Sequence, residues 1–137
     1  YAQGYYCSSH SPIHRKEMNS LKLFDSELKI LEALWQHGEL TAGQLARILA
    51  QDTGWNRNTT YTVLKKCIDK GAVRRIDPGY RCQALVTREE VRQEETHQLI
   101  RRFFDGSAEQ FFTAFLDGER LSPQEVERLK ELVNRLQ

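Results

Sequence analysis

The chain has no disulfide framework. Its three cysteines, Cys7, Cys67 and Cys82, are odd in number and far apart. No Cys-x-x-Cys pair and no His/Cys cluster has metal-ligand spacing, which argues against a structural zinc site. The pattern fits a reducing, cytoplasmic compartment. Long apolar runs are also missing. Nothing approaches the roughly 18 residues that a membrane-spanning helix requires, and mean hydropathy is −0.63, so no membrane insertion is expected. No glycine-rich phosphate loop is present. His37 and His97 stand apart from any Ser or Cys with a nucleophile signature. Glu89-Glu90 and Glu94-Glu95 read as solvated helix charges rather than as paired catalytic carboxylates. No enzymatic activity, cofactor or metal is therefore expected.

Net charge is small, +1 over 137 residues, but it is unevenly placed. Residues 21–85 hold ten Lys/Arg against seven Asp/Glu, and residues 86–137 hold eight against eleven. Within the first part, Arg57, Lys65, Lys66, Lys70, Arg74 and Arg75 fall in a stretch with Asp69 as its one acid. That stretch is the part of the chain best suited to a polyanion.

The chain reads as three parts. Residues 1–20, YAQGYYCSSHSPIHRKEMNS, show no periodicity and are expected to be a leader or tag-like segment, with Met18 a candidate start. Residues 21–85 carry three helical patterns and a hairpin. Leu28, Leu31, Leu34 and Trp35 recur at helical spacing, with Asp25 as the expected cap and Gly38 as the stop. Thr41 precedes a second pattern at Ala42, Leu45, Ala46 and Leu49. A third helix is expected from about Asn56 to Lys70, with Thr60, Val63, Leu64, Cys67 and Ile68 on its apolar face. Val73–Ile76 and Tyr80–Leu85 then read as strands around an Asp77-Pro78-Gly79 turn, since Pro fixes φ and Gly tolerates positive φ. Leu40-Thr41 offer a short third strand. Trp35 and Trp55 are expected to anchor the core. This is the order of a winged helix-turn-helix.

Residues 86–137 read as three more helices. Thr87 or Val86 opens the first, which Gly106 ends. The second runs from Ala108 to near Gly118. The third starts at Ser122, with Pro123 at its first position and Glu125 completing a capping box. Leu99, Ile100, Phe103, Phe104, Phe111, Phe112, Phe115, Val126, Leu129, Leu132, Val133 and Leu136 form apolar stripes. About fifty residues bury too little surface to close a core alone, so these side chains are expected to pair with an identical partner. The fold class is mainly α with a small β wing (α+β).

The third helix carries the chemistry. Opposite its apolar face lie Asn56, Arg57, Asn58, Thr59, Tyr61, Thr62, Lys65 and Lys66. Amide, hydroxyl and guanidinium groups crowded into a first helical turn can read base edges in a major groove or hold phosphates. A merely solvated polar face is the competing reading for any amphipathic helix. The preceding helix pair and the following basic hairpin favour recognition. Arg74, Arg75 and Arg81 on the wing are expected to contact phosphate.

The order of these blocks resembles the penicillinase-repressor family of bacterial winged-helix transcriptional repressors (BlaI, MecI and CopY types). The matching residues run from Leu23 to the C-terminus. LFDSELKILEALWQHGELTAGQLA resembles the family's opening block and GWNRNTTYTVLKKCIDKGAV its recognition-helix block. VTREE resembles the start of its dimerisation region, and LSPQEVERLKELV its last helix. The resemblance implies an N-terminal winged helix, a three-helix dimerisation region, and a homodimer on a dyad operator in double-stranded DNA. It also implies control of an antibiotic-resistance or related operon and release by cleavage under a sensor protease. Alignment puts the scissile bond at Ala114–Phe115, with Ala where the family usually has Asn. No cysteine follows Cys82, whereas the copper-responsive members end in a Cys-rich motif. Two other readings stand beside this one. The winged helix could be a protein-interaction adaptor that docks an acidic partner, or a regulator whose small-molecule ligand sits among the C-terminal phenylalanines.

Overall fold

The structure, a computed structural model, describes residues 21–136, so the leader expected over 1–20 lies outside the described residues. The elements run α1 (Asp25–His37), β1 (Leu40–Thr41), α2 (Ala42–Thr53), α3 (Arg57–Asp69), β2 (Val73–Ile76), β3 (Arg81–Ala84), α4 (Arg88–Phe104), α5 (Ala108–Gly118) and α6 (Pro123–Asn134). The chain divides into two compact units, one ending at Glu94 and the other beginning at Glu95. The division falls within α4. Val91, in the second turn of α4, is buried in the first core.

The first unit is a three-helix core closed by a three-stranded antiparallel sheet of order β1-β3-β2. Leu40 pairs with Cys82 and Thr41 with Arg81 across β1 and β3. Val73 pairs with Ala84 and Arg75 with Cys82 across β2 and β3. This is a winged helix-turn-helix. Its core is made by Leu31 and Leu34 from α1, Leu45 and Leu49 from α2, and Val63, Leu64 and Cys67 from α3, all on stripes expected from sequence, and by Ile30, which the expected α1 stripe does not include; Leu28 is only partly buried against it. Trp35 and Trp55 are half-buried at the edge of the core rather than inside it. The reason is visible for Trp35, whose Nε1–H donates to the Val86 carbonyl at 2.9 Å and so must reach past the apolar interior.

Helix ends follow local chemistry. At α2 the Thr41 hydroxyl accepts from the Gln44 N–H at 3.1 Å, and the Gln44 side chain accepts from the Thr41 N–H at 2.9 Å. Gly54 ends α2 in the left-handed conformation, φ 79°. Thr87, not Val86, opens α4, in a reciprocal pair with Glu90. Ser122, Pro123 and Glu125 open α6 as expected, and hydrogen bonds from Ser122 hold the Glu125 carboxyl below its ordinary pKa.

The expected cap at Asp25 is corrected. Phe24 occupies the N-cap position of α1, and Asp25 is already the first helical residue. The Glu27 carboxylate performs the capping from three residues inside, accepting the Phe24 N–H at 2.8 Å. The same oxygen takes the Lys70 ammonium at 2.6 Å, although the Glu27 side chain is only 1% exposed. A buried ion pair thus ties the start of α1 to the end of α3.

The second unit consists of the rest of α4 with α5 and α6. Phe111 is its hub: its ring meets Phe104 at 5.6 Å and Phe112 at 5.2 Å, and stacks on Phe115 at 5.9 Å. Large apolar side chains remain in the open there, among them Phe103 at 66%, Leu132 at 52%, Val133 at 64% and Leu136 at 76% exposure. A groove of about 670 Å³ between α5 and α6 is lined by Leu116, Leu121, Val126, Leu129, Lys130 and Val133. It contains none of the phenylalanines on which the small-molecule reading rests. No helix among the described residues is long and apolar enough to cross a membrane.

Candidate nucleic-acid interface

The sequence makes α3 two-sided. Thr60, Val63, Leu64 and Cys67 are buried, which turns the opposite side outward. Asn58, Thr62, Lys65 and Lys66 are exposed, as are Asn56 and Arg57 at the N-terminal end, while Thr59 and Tyr61 are half-buried. Asn56 is the N-cap: its side-chain oxygen accepts the Thr59 N–H at 2.8 Å. That oxygen is committed to the helix end, and the amide NH₂ is what remains for a partner. The Arg57 guanidinium donates to the Tyr61 hydroxyl at 3.0 Å, one helical turn on. The first turn of α3 is therefore rich in donors, and its backbone is fixed by its own cap.

The wing adds cations. Arg74 and Arg75 are exposed on β2 and Arg81 on β3. Arg74 donates to Gln83 across the strand pair at 2.6 Å. Arg75 pairs with Asp77 at 3.2 Å, Arg81 with Glu39 at 3.2 Å, and Lys65 with Asp69 at 3.3 Å. Exposed pairs of this kind are worth about 0–1 kcal/mol and are screened by salt. An incoming phosphate can displace the carboxylates at little cost. Lys66 forms no ion pair among the described residues.

Neither described cysteine is an activated nucleophile. Burial pushes the Cys67 thiol up to about 12, with Glu27 adding to the shift, and burial pushes Cys82 up to about 11. Both thiols stay protonated at neutral pH and act as small apolar side chains. Burial also raises the Tyr80 phenol. Among the described residues no group of His, Cys, Asp and Glu could hold a metal ion.

Two features are not legible in the sequence. Sequence places Tyr80 on the wing but not among the site residues. Its ring meets the Tyr61 ring edge-on at 5.8 Å and carries the Arg75 guanidinium 3.7 Å from its centre. The signal is a second tyrosine directly after Pro-Gly, and only the fold shows which ring it meets. The start of α2 lies beside Arg57: a Cβ at Gly43 would meet its Nη2 at 3.9 Å, an ordinary van der Waals contact.

Residues 23–135 match the family model described as penicillinase repressor. The chain belongs to the penicillinase repressor family. The match spans both units, from the buried Leu23 ahead of α1 to the residue after α6. A penicillinase repressor from Bacillus licheniformis is 22% identical over 114 residues, covering 82% of this chain and 89% of that protein. Two solved structures are also similar. One is the solution structure of the DNA-binding domain of the repressor BlaI (TM-score 0.46, 21% identity, 51% of this chain and 88% of that one). The other is the monomeric form of Bacillus licheniformis BlaI in complex with the blaP half-operator (TM-score 0.46, 21% identity, 50% and 87%).

Proposed function

We propose that this family member is a homodimeric, sequence-specific DNA-binding transcriptional repressor that reads a dyad operator. The observation that carries the reading is the outward face of α3, where Arg57, Asn58, Thr62, Lys65 and Lys66 stand exposed on a helix whose other face is locked into the core. Arg57, Asn58, Thr59 and Thr62, with the Asn56 amide and Tyr61, contact bases or adjacent phosphates in the major groove. Lys65, Lys66, Arg74, Arg75 and Arg81 neutralise phosphates.

The dimer supplies the two-fold symmetry that a dyad requires. Its support is the apolar surface of the second unit, including Leu99, Phe103, Phe112, Phe115, Leu129, Leu132, Val133 and Leu136, which one chain leaves exposed. Ile100, Phe104, Phe111 and Val126 are half-buried beside it. The groove between α5 and α6 belongs to the same surface. The name of the Bacillus licheniformis relative supports control of an antibiotic-resistance or related operon. Release by a sensor protease at Ala114–Phe115 requires α5 to unwind, since both residues lie inside that helix.

Gel shifts against duplex DNA test the reading. Arg57→Ala or Thr59→Ala lowers affinity for the preferred sequence by about 1–3 kcal/mol for each base the variant no longer reads. Lys66→Ala weakens binding to all sequences alike and flattens the salt dependence. Variants that bind as the parent does refute the assignment of this face.

A further inference from the structure

Four side chains from α3 and the wing touch one another in a continuous row. The Arg57 guanidinium lies 5.1 Å from the centre of the Tyr61 ring and donates to its hydroxyl. The Tyr61 and Tyr80 rings meet edge to face, centroids 5.8 Å apart and planes at 87°. The Arg75 guanidinium covers the far side of the group, 3.7 Å from the Tyr80 centroid. The two arginines at the ends are exposed and the two rings between them are half-buried.

The backbone at Tyr80 is a second, independent sign. Tyr80 has φ 50°, the left-handed region that bulky residues seldom occupy. Its carbonyl accepts the Ala42 N–H at 2.9 Å, which ties the wing turn to the start of α2. A residue persists in such a conformation where its surroundings over-determine it, and these positions cluster at functional sites. Here the surroundings are the Tyr61 ring, the Arg75 guanidinium and the α2 amide. Arg75 is also held at its Nε by Asp77, 3.2 Å away. The guanidinium has more N–H donors than Asp77 and the Tyr80 hydroxyl together use, which leaves some to a further acceptor.

We propose that the Tyr61–Tyr80 ring pair is a positioning device that sets the wing's Arg75 relative to the helix's Arg57, so that the two guanidiniums engage one duplex as a coupled unit. The inference rests on the DNA-binding reading above and deepens it. Tyr80 acts through the arginines, and Tyr61 does so in addition to the contact proposed for it above. A free arginine loses much rotamer freedom when it docks on a phosphate, and a guanidinium already laid on a ring loses less. Because the rings touch, ordering one arginine restrains the other, which makes their contributions to binding non-additive.

The test is a double-mutant cycle on the full chain. The probes are a duplex recovered from a randomised pool by binding to the parent protein and a scrambled duplex of the same composition. Arg57→Ala, Arg75→Ala and the double variant are compared in the parent and in a Tyr80→Leu background. In the parent, the double variant's loss departs from the product of the single losses by on the order of threefold or more. Tyr80→Leu abolishes that coupling, and Tyr80→Phe preserves it because it keeps the ring that meets Tyr61 and carries Arg75. Tyr61→Phe, which keeps the ring and the fold, reduces the loss caused by Arg57→Ala because the hydroxyl that holds Arg57 is gone. A merely structural Tyr80 would lower every affinity and leave the coupling intact, and coupling undiminished in the Tyr80→Leu background overturns the proposal. Additive losses in the parent, with each arginine variant still weakening binding, overturn it too and leave the repressor reading standing. If neither arginine variant weakens binding and affinity is flat in salt, the DNA-binding reading fails and the coupling falls with it.

Discussion

Lys70→Met should be among the most damaging single changes at a half-buried position of this chain. The Lys70 ammonium lies 2.6 Å from Glu27 Oε1, donates also to the Lys22 carbonyl, and sits 4.4 Å from the Phe24 ring centre. Among the described residues Glu27 Oε2 has no hydrogen-bond partner, so the carboxylate depends on Lys70 and on the Phe24 N–H. Removing one partner of a buried ion pair costs about 3–5 kcal/mol, because the remaining charge stays buried. The Lys70 side chain keeps 28% of its exposure, so water already screens part of the pair and the low end applies, about 3 kcal/mol. That is a large share of the roughly 5–15 kcal/mol that holds a domain folded, and it lowers Tm by on the order of 10 °C. Urea unfolding followed by tryptophan fluorescence reads it, since Trp35 and Trp55 both pack on the first core. The midpoint should fall with the slope unchanged. Glu27→Gln combined with Lys70→Met should recover most of the loss, because a neutral amide can still accept the Phe24 N–H. A loss below about 1 kcal/mol for Lys70→Met, or a double variant no more stable than the single one, refutes this account of the pair.

Four further outcomes are expected. Gly54 sits at φ 79° with open space around it, so Gly54→Ala carries only the backbone cost, about 1–2 kcal/mol; Gly43→Ala, in a helix with nearest neighbours at 3.9 Å, gains about 0.5 kcal/mol, both read by urea midpoints. The Cys67 thiol is raised from 9.0 to about 12. An acid whose folded pKa is raised stabilises fully below its unfolded pKa, and that stability drains away as pH climbs from about 9 toward 12; the Cys67→Ala variant should show a shallower alkaline fall, and an identical slope contradicts a buried neutral thiol. Leu132→Asp, on the exposed face of α6, should weaken the proposed self-association at least about tenfold by sedimentation equilibrium, as loss of a buried interface anchor does, whereas unchanged association removes that face from the proposed dimer.

Most of the winged helix is legible because its signals are local. The stripes Ala42, Leu45, Ala46, Leu49 and Thr60, Val63, Leu64, Cys67 repeat at helical spacing and are the residues found buried. Ser122-Pro123 with Glu125 marks a helix start by hydrogen-bonding chemistry alone. The wing turn follows from Pro78 and Gly79, the latter at φ 95°. What escapes is either non-local or a choice between neighbours. Glu27 and Lys70 are far apart in sequence, and nothing in either segment announces the other. Asp25 looks like a cap because its side chain is of the right type, yet Glu27 reaches back and moves the helix start one residue earlier. Tyr80 can be placed in the wing but not against Tyr61, since the meeting of the rings depends on how the hairpin folds over α3. The exposed outward face of α3 follows from periodicity, whereas the commitment of the Asn56 oxygen to Thr59 does not.

Chemical-shift mapping of the isotope-labelled chain during titration with duplex DNA tests the central claim most directly, because it reports which backbone amides sense the duplex. The account predicts shifts concentrated over residues 56–66 and on the wing at Arg74, Arg75, Tyr80 and Arg81, fading as salt is raised. Shifts absent from those residues, or confined to 95–136, contradict it.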